Sequence, residues 1–262
     1  MSAPSAFFIP DGDRFVATES TRGPWSREHQ HGGPPAALLA RAMERLVDDR
    51  ALLTRLTVDF LRPVPIAPLG VRAEVVRAGA KVRRLQAALT TADGSVLVQA
   101  AAVAIRTAAV LPASLGVDAE APPPLETGTP FEFSFFVDAV GYHTSVETRI
   151  VRGAWGKGPV AAWMRPRVQL VQGEATSPLQ RLMILADSAS GIAVVLEHAR
   201  YTFVNADLTV AVHRPPEGEW VCLDAATVAE AHGVGLTRAR LWDERGAFGV
   251  SLQSCIAERR SE

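Results

Sequence analysis

The chain repeats itself. "LTVDFLRPVP" at 56–65 matches "LTVAVHRPPE" at 208–217, and the same offset of 152 carries Val76 onto Val228, Val82 onto Val234, Ala87 onto Ala239, Leu89 onto Leu241, Gly94 onto Gly246 and Val98 onto Val250 without a gap. Scattered identities are weak one by one, but a single constant register is hard to obtain by chance, and a repeat decides architecture before any motif does. Each copy shows the same sequence of elements. "VRAEVVRAG", "RRLQAALTTADG" and "VLVQAAAVAIR" alternate with period two and read as strands, with "ADG" as a hairpin turn; "VCLDAATVAEA", "GLTRARLWDERG" and "FGVSLQSCIAER" repeat that order.

A helix precedes each meander. The first is predicted over 34–48, with Leu39, Ala42, Met43, Leu46 and Val47 as its apolar stripe and Arg41, Glu44, Arg45 and Asp48 toward solvent. Residues 36–40 are apolar all round, so that part should be enclosed by a sheet. The second helix is predicted over 177–197: Ser177 followed by Pro178 places a capping hydroxyl before a proline of the first turn. Two further strands, 144–153 and 159–168, open the second unit. Between the units, 107–130 is rich in proline and small residues and has no period. The expected division is therefore a first domain over 1–108, a linker over 109–130 and a second domain over 131–262.

A chain of 262 residues, 48 % hydrophobic and 21 % charged, can bury a substantial core. Its formal net charge of −1 gives no long-range attraction to nucleic acid or anionic lipid, so the expected partner is a small molecule. With neither a signal-peptide pattern nor an uncharged apolar stretch long enough to span a membrane, a cytoplasmic protein is expected. The two cysteines, Cys222 and Cys255, read as buried small hydrophobes, and the six histidines form no cluster with metal-ligand spacing. No metal and no organic cofactor are expected.

Two stretches carry chemistry: "HGGPPAALLARAMERL" from His31 and "LADSASGIA" from Leu185. Together with the tandem helix-and-sheet layout, "HRP" at 213–215 and "SLQSCIAER" near the end, they make the chain similar to the acyl-CoA thioesterase II family. The implied fold is α+β, a double hotdog of two tandem repeats, each a central helix wrapped by an antiparallel sheet. The implied activity is hydrolysis of an acyl-CoA thioester, with the acyl chain in an apolar tunnel beside the first helix and a place in fatty acid metabolism.

In the single-hotdog pattern a carboxylate lies nine residues after the histidine of the His-Gly-Gly helix start, but here that position falls on Ala40; Asp187 supplies a carboxylate in the second unit, where the position nine residues earlier is Pro178 and the glycines are missing. In related hotdog dimers the glycine amide comes from one subunit and the carboxylate from the other. A tandem chain with one half-motif in each copy would keep one composite site and abandon its symmetric counterpart. Helix-start amides lack intrahelical acceptors and carry the positive end of the helix dipole, so Gly32 and Gly33 could receive the oxyanion of an attacked thioester. Asp187 would be a general base on water or a nucleophile; sequence leaves both open.

The resemblance also implies a hydroxyl residue and a glutamine that hold the water. These positions fall on Asn205, a departure, and on Gln253. His31 is expected as a structural hydrogen-bonding residue or site wall. Plain readings stand beside these: a tight loop at 31–35, a satisfied kink at Asp187, strand-end pairing at Asn205 and a surface position at Gln253. Arg83 and Arg84 are candidates for coenzyme A phosphates or plain surface residues, and Trp163, Arg165 and Arg167 read as packing and surface. The alternatives to a thioesterase are a catalytically silent acyl-CoA- or lipid-binding protein and an acyl-CoA hydratase, whose usual Asp-Asn-Pro-His signature is absent. Open sheet edges lead to an expected homo-oligomer, such as a dimer of double hotdogs.

Overall fold

The structure, a computed structural model, describes residues 4–111, 116 and 120–260. The first half contributes β1 (Ala6–Asp11), β2 (Arg14–Ala17), α1 (Gly33–Glu44), β3 (Ala51–Phe60), β4 (Pro68–Ala78), β5 (Val82–Thr90) and β6 (Val96–Arg106). The second contributes β7 (Thr129–Pro130), α2 (Tyr142–Ser145), β8 (Val146–Arg152), β9 (Val160–Pro166), β10 (Gln169–Val171), α3 (Pro178–Ala186), α4 (Ala189–Ile192), β11 (Tyr201–Asn205), β12 (Asp207–Val212), β13 (Val221–Ala229), β14 (Val234–Asp243) and β15 (Gly246–Arg259). Positions 112–115 and 117–119 of the expected linker lie outside the described residues.

The strands form one sheet in the order β10-β1-β2-β4-β5-β6-β3-β12-β15-β14-β13-β9-β8-β7, with β11 also paired to β15. Both meanders follow the alternation of apolar residues, and Gly94, at φ +86°, makes the tight turn between β5 and β6. The two halves meet where β3 pairs antiparallel with β12, Leu56 opposite Val210 and Thr57 opposite Thr209. Thr57 and Thr209 are equivalent positions of the repeat and their hydroxyls lie 3.1 Å apart, so the pseudo-twofold axis passes between them. A second link joins β1 to β10 in parallel.

Helices α1 and α3 pack against each other inside the sheet, within one apolar core built from both halves. This is the double-hotdog arrangement. Residues 36–40 of α1 are fully buried, as their all-round apolar character requires. Two helix predictions need correction. The first helix stops at Glu44, and Arg41 is buried: its guanidinium lies 4.9 Å from the Phe15 ring centroid and donates to Glu174 at 2.6 and 2.7 Å. The predicted 177–197 helix is broken at Asp187. Asp, Ser and Gly are weak helix formers that compete for backbone partners. Here Ser188 N–H turns back to Leu185 O at 2.9 Å, and only the short α4 follows. Among the described residues no helix is long and apolar enough to cross a membrane.

Candidate active site

The start of α1 and the end of α3 meet. Pro34 and Pro35 at the second and third positions of α1 have no N–H, and Ala36 N–H already bonds Gly32 O at 3.1 Å. The positive helix start is thereby concentrated on the amides of Gly32 and Gly33. Gly32 donates its N–H to no acceptor among the described residues. Across from it, Asp187 caps α3 with a side chain only 4 % exposed.

The glycines are dictated by this approach. A Cβ on Gly32 would sit 2.8 Å from Asp187 Oδ2 and 2.8 Å from the Phe60 ring, and a Cβ on Gly33 would drive into the Ile184 carbonyl. His31 Nδ1 lies 3.1 Å from Asp187 Oδ2 and 3.2 Å from the Gly33 amide nitrogen. One ring nitrogen cannot donate to the first and accept from the second at once. The Gly33 N–H donates to Nδ1, so in the neutral ring that nitrogen is the acceptor and the proton lies on Nε2; the amide left without an acceptor at this helix start is that of Gly32. Burial lowers the pKa of His31, against the opposing pull of Asp187, so the ring is held neutral.

The other carboxylate oxygen faces the sheet. Asn205 Nδ2 donates to Asp187 Oδ1 at 2.9 Å and to Asp207 O at 3.0 Å. Asn205 sits at a bulge: it pairs with Cys255 while Thr209 pairs with Leu252, so this side of the ladder has one residue more than β15. Gln253 is fully buried, which corrects the surface reading. Its amide nitrogen donates to Asp187 O at 3.1 Å and lies 3.5 Å from Oδ1, while its oxygen accepts from Ser190 N–H at 3.0 Å. Both ends of Gln253 are thus spent on the turn that carries the carboxylate, rather than on a water as the resemblance implied.

All six expected site residues are brought together. A cavity of about 450 Å³ opens onto His31, Gly32, Asp187 and Asn205; Gln253 and Gly33 lie behind its wall. It meets α1 only at its start, so the expected tunnel alongside that helix is corrected to a pocket at its N-terminus. Arg83 pairs with Asp48 at 2.9 Å, and neither Arg83 nor Arg84 lines this cavity. Trp163 is buried with its N–H on Pro123 O at 3.0 Å, and Arg165 bonds Glu147 and Glu219. Both cysteines are buried.

Sequence reasoning missed Tyr142. Its ring stacks on His31 with centroids 3.7 Å apart and planes within 1°, and its hydroxyl donates to Ile184 O at 2.9 Å while lying 2.7 Å from Ser188 Oγ. Burial raises its pKa, so the phenol stays protonated. Also missed were Phe133, Phe135, Phe136 and Trp155 on the cavity wall, although the run "FEFSFF" at 131–136 was a signal in plain view.

A polarising helix start facing a buried carboxylate across an apolar cavity can activate a carbonyl and deliver a water to it. Three solved structures share the fold: a protein assigned as a thioesterase II from Thermobifida fusca YX (18 % identity, 97 % of this chain and 96 % of that one, TM-score 0.76), a conserved hot dog fold protein from Alicyclobacillus acidocaldarius (18 %, 97 % and 96 %, 0.72) and the acyl-CoA thioesterase II TesB2 from Mycobacterium marinum (19 %, 88 % and 90 %, 0.69). No protein of curated function matches the sequence. Residues 21–109 match the acyl-CoA thioesterase N-terminal domain and residues 118–257 the acyl-CoA thioesterase C-terminal domain. The chain therefore belongs to the acyl-CoA thioesterase family and is a thioester hydrolase.

Proposed function

We propose that this protein hydrolyses acyl-CoA to the free acid and coenzyme A at the junction of α1 and α3, with Asp187 as general base. The observation that carries the reading is the close approach of the two half-motifs: Asp187 Oδ2 lies where a Gly32 side chain would begin. The thioester carbonyl accepts from the helix-start amide of Gly32, which stabilises the oxyanion as it forms, while the Gly33 amide is held by His31 Nδ1. Asp187 takes a proton from a water, the water oxygen bonds to the carbonyl carbon, and collapse of the tetrahedral intermediate breaks the C–S bond. The proton held by Asp187 then passes to the departing thiolate. Asn205 keeps its side-chain oxygen available to accept from that water while its nitrogen orients the carboxylate. Gln253 holds the Asp187 backbone in place, and His31 packs beside the carboxylate.

Asp187→Asn should lower thiol release from acyl-CoA by roughly 10²- to 10⁴-fold, as expected for loss of a general base. Unchanged turnover in that variant overturns the assignment, and acyl-CoA binding without thiol release in the wild type would favour a silent binding protein. A single turnover in ¹⁸O water separates the two roles of the carboxylate. A general base puts the label directly into the released acid; a nucleophile forms an anhydride, and its opening by water at the aspartyl carbon puts the label into Asp187 instead.

A further inference from the structure

We infer that the acyl group this enzyme accepts carries an aromatic ring close to the thioester; the inference rests on the thioesterase reading above and specifies its substrate class. The turn that bears Asp187 continues into α4, and there Gly191 faces a wall of rings: a Cβ on Gly191 would lie 3.9 Å from Phe133 and 4.0 Å from Phe135. Trp155 is fixed to the same residue, its indole N–H donating to Gly191 O at 2.9 Å. Phe135 and Trp155 are nearly parallel, 17° apart with centroids separated by 5.8 Å, while Phe133 stands edge-on to Phe135 at 76°. These rings, braced against one another, line the cavity, and a further ring set against aromatic neighbours gains from offset-stacked or edge-to-face contact.

Position and size limit what fits. Gly191 follows Asp187 by four residues, the acid on the turn and the glycine on α4, and both line the cavity, so a ring attached to the reacting carbonyl through a short spacer meets the aromatic wall. Phe133 is only 5 % exposed and closes the inner end, whereas Trp25, at 43 %, stands at the mouth. A cavity of about 450 Å³ is toward the small end for a drug-sized ligand, so most of coenzyme A stays outside and the enclosed ring-lined end takes the acyl group. A flexible chain of methylenes gains area against these rings but no ring–ring geometry, and must be ordered to gain even that.

The test compares acyl-CoA thioesters of equal carbon number on the wild-type protein: benzoyl against heptanoyl, and 3-phenylpropanoyl against nonanoyl. The aryl member of at least one pair should show kcat/KM at least about tenfold higher, within the discrimination an apolar pocket can supply. Phe135→Leu should then pull that ratio toward one, and because a ratio of two substrates on one preparation is read, partial misfolding does not imitate the result. Linear members equal to or better than their aryl partners in both pairs overturn the inference and leave thioester hydrolysis standing. Absence of thiol release from every substrate overturns both.

Discussion

The two ends of the central helix pair make the same kind of junction and put it to opposite uses. At one, the start of α1 faces Asp187 at the end of α3 and opens on the cavity. At the other, the start of α3 faces Glu44, the last residue of α1: Ser177 Oγ reaches the Glu44 oxygens at 2.8 and 2.9 Å, and Gln180 Nε2 donates to Oε2 at 2.6 Å. There Ser177 and Gln180 also form a capping box, with Gln180 N–H on the serine hydroxyl at 3.1 Å and the glutamine oxygen on Ser177 N–H at 3.3 Å. The helix-start donor that Gly32 leaves free has counterparts at Ser177 and Gln180 that are already consumed. A helix dipole and a carboxylate are therefore common to both ends, and what separates a reactive junction from a structural one is whether the amides already have acceptors.

The sharpest way to break this contrast is Gly32→Ala. Its methyl would press on the Asp187 carboxylate and the Phe60 ring, and thiol release should fall roughly 10²-fold, comparable to loss of one oxyanion donor; an unchanged kcat would remove the glycine from the chemistry. Glu44→Ala should do the converse, lowering stability by about 1–2 kcal/mol by orphaning Ser177 and Gln180, with turnover nearly intact, as read by denaturant melts beside the thiol assay.

Titration sharpens the comparison further, because the two junctions carry opposite signs. Burial raises the pKa of Glu44 against its hydrogen bonds, so the native state holds that proton more tightly than the unfolded chain, and stability declines as pH rises from the ordinary glutamate value of 4.5 through the folded one. For His31 the folded pKa is lowered. The unfolded chain binds the extra proton, and stability is lost as pH falls below 6.5 through the folded value. Thermal melts against pH should show Glu44→Gln removing the first slope and His31→Asn the second; the same slope lost in both variants contradicts the assignment. The smallest effect belongs to the axis itself. Thr57→Val removes the hydroxyl pair with Thr209 and should cost about 0.5–1 kcal/mol, leaving the pH slopes of both junctions alone.

Much of this was legible before any coordinates. The constant repeat register is a physical fact of the seam, since Leu56–Val210 and Thr57–Thr209 pair across the axis that relates the copies. The half-motifs at Gly32 and Asp187 were readable because glycine and a buried acid are expensive without a reason. Other features depend on contacts that no local pattern encodes. The β1–β2 hairpin, with Gly12 at φ +59° in its turn, gains its partners from β4 on one side and from β10, far along the chain, on the other. Arg41 looks solvent-facing by helical period until Glu174 and Phe15 arrive from other elements. Tyr142 enters the site only because α2 brings its ring flat against His31.

The continuous β3–β12 seam has a further consequence. In a dimer, a site assembled from two subunits comes apart on dilution and its mirror image must evolve in step, because one gene writes both. Here one polypeptide carries both pieces, so they meet at a fixed one-to-one ratio however scarce the protein, and a substitution in one copy leaves the other unchanged. In one covalent chain the Glu44 end can serve as a strut while the other end carries the reactive groups.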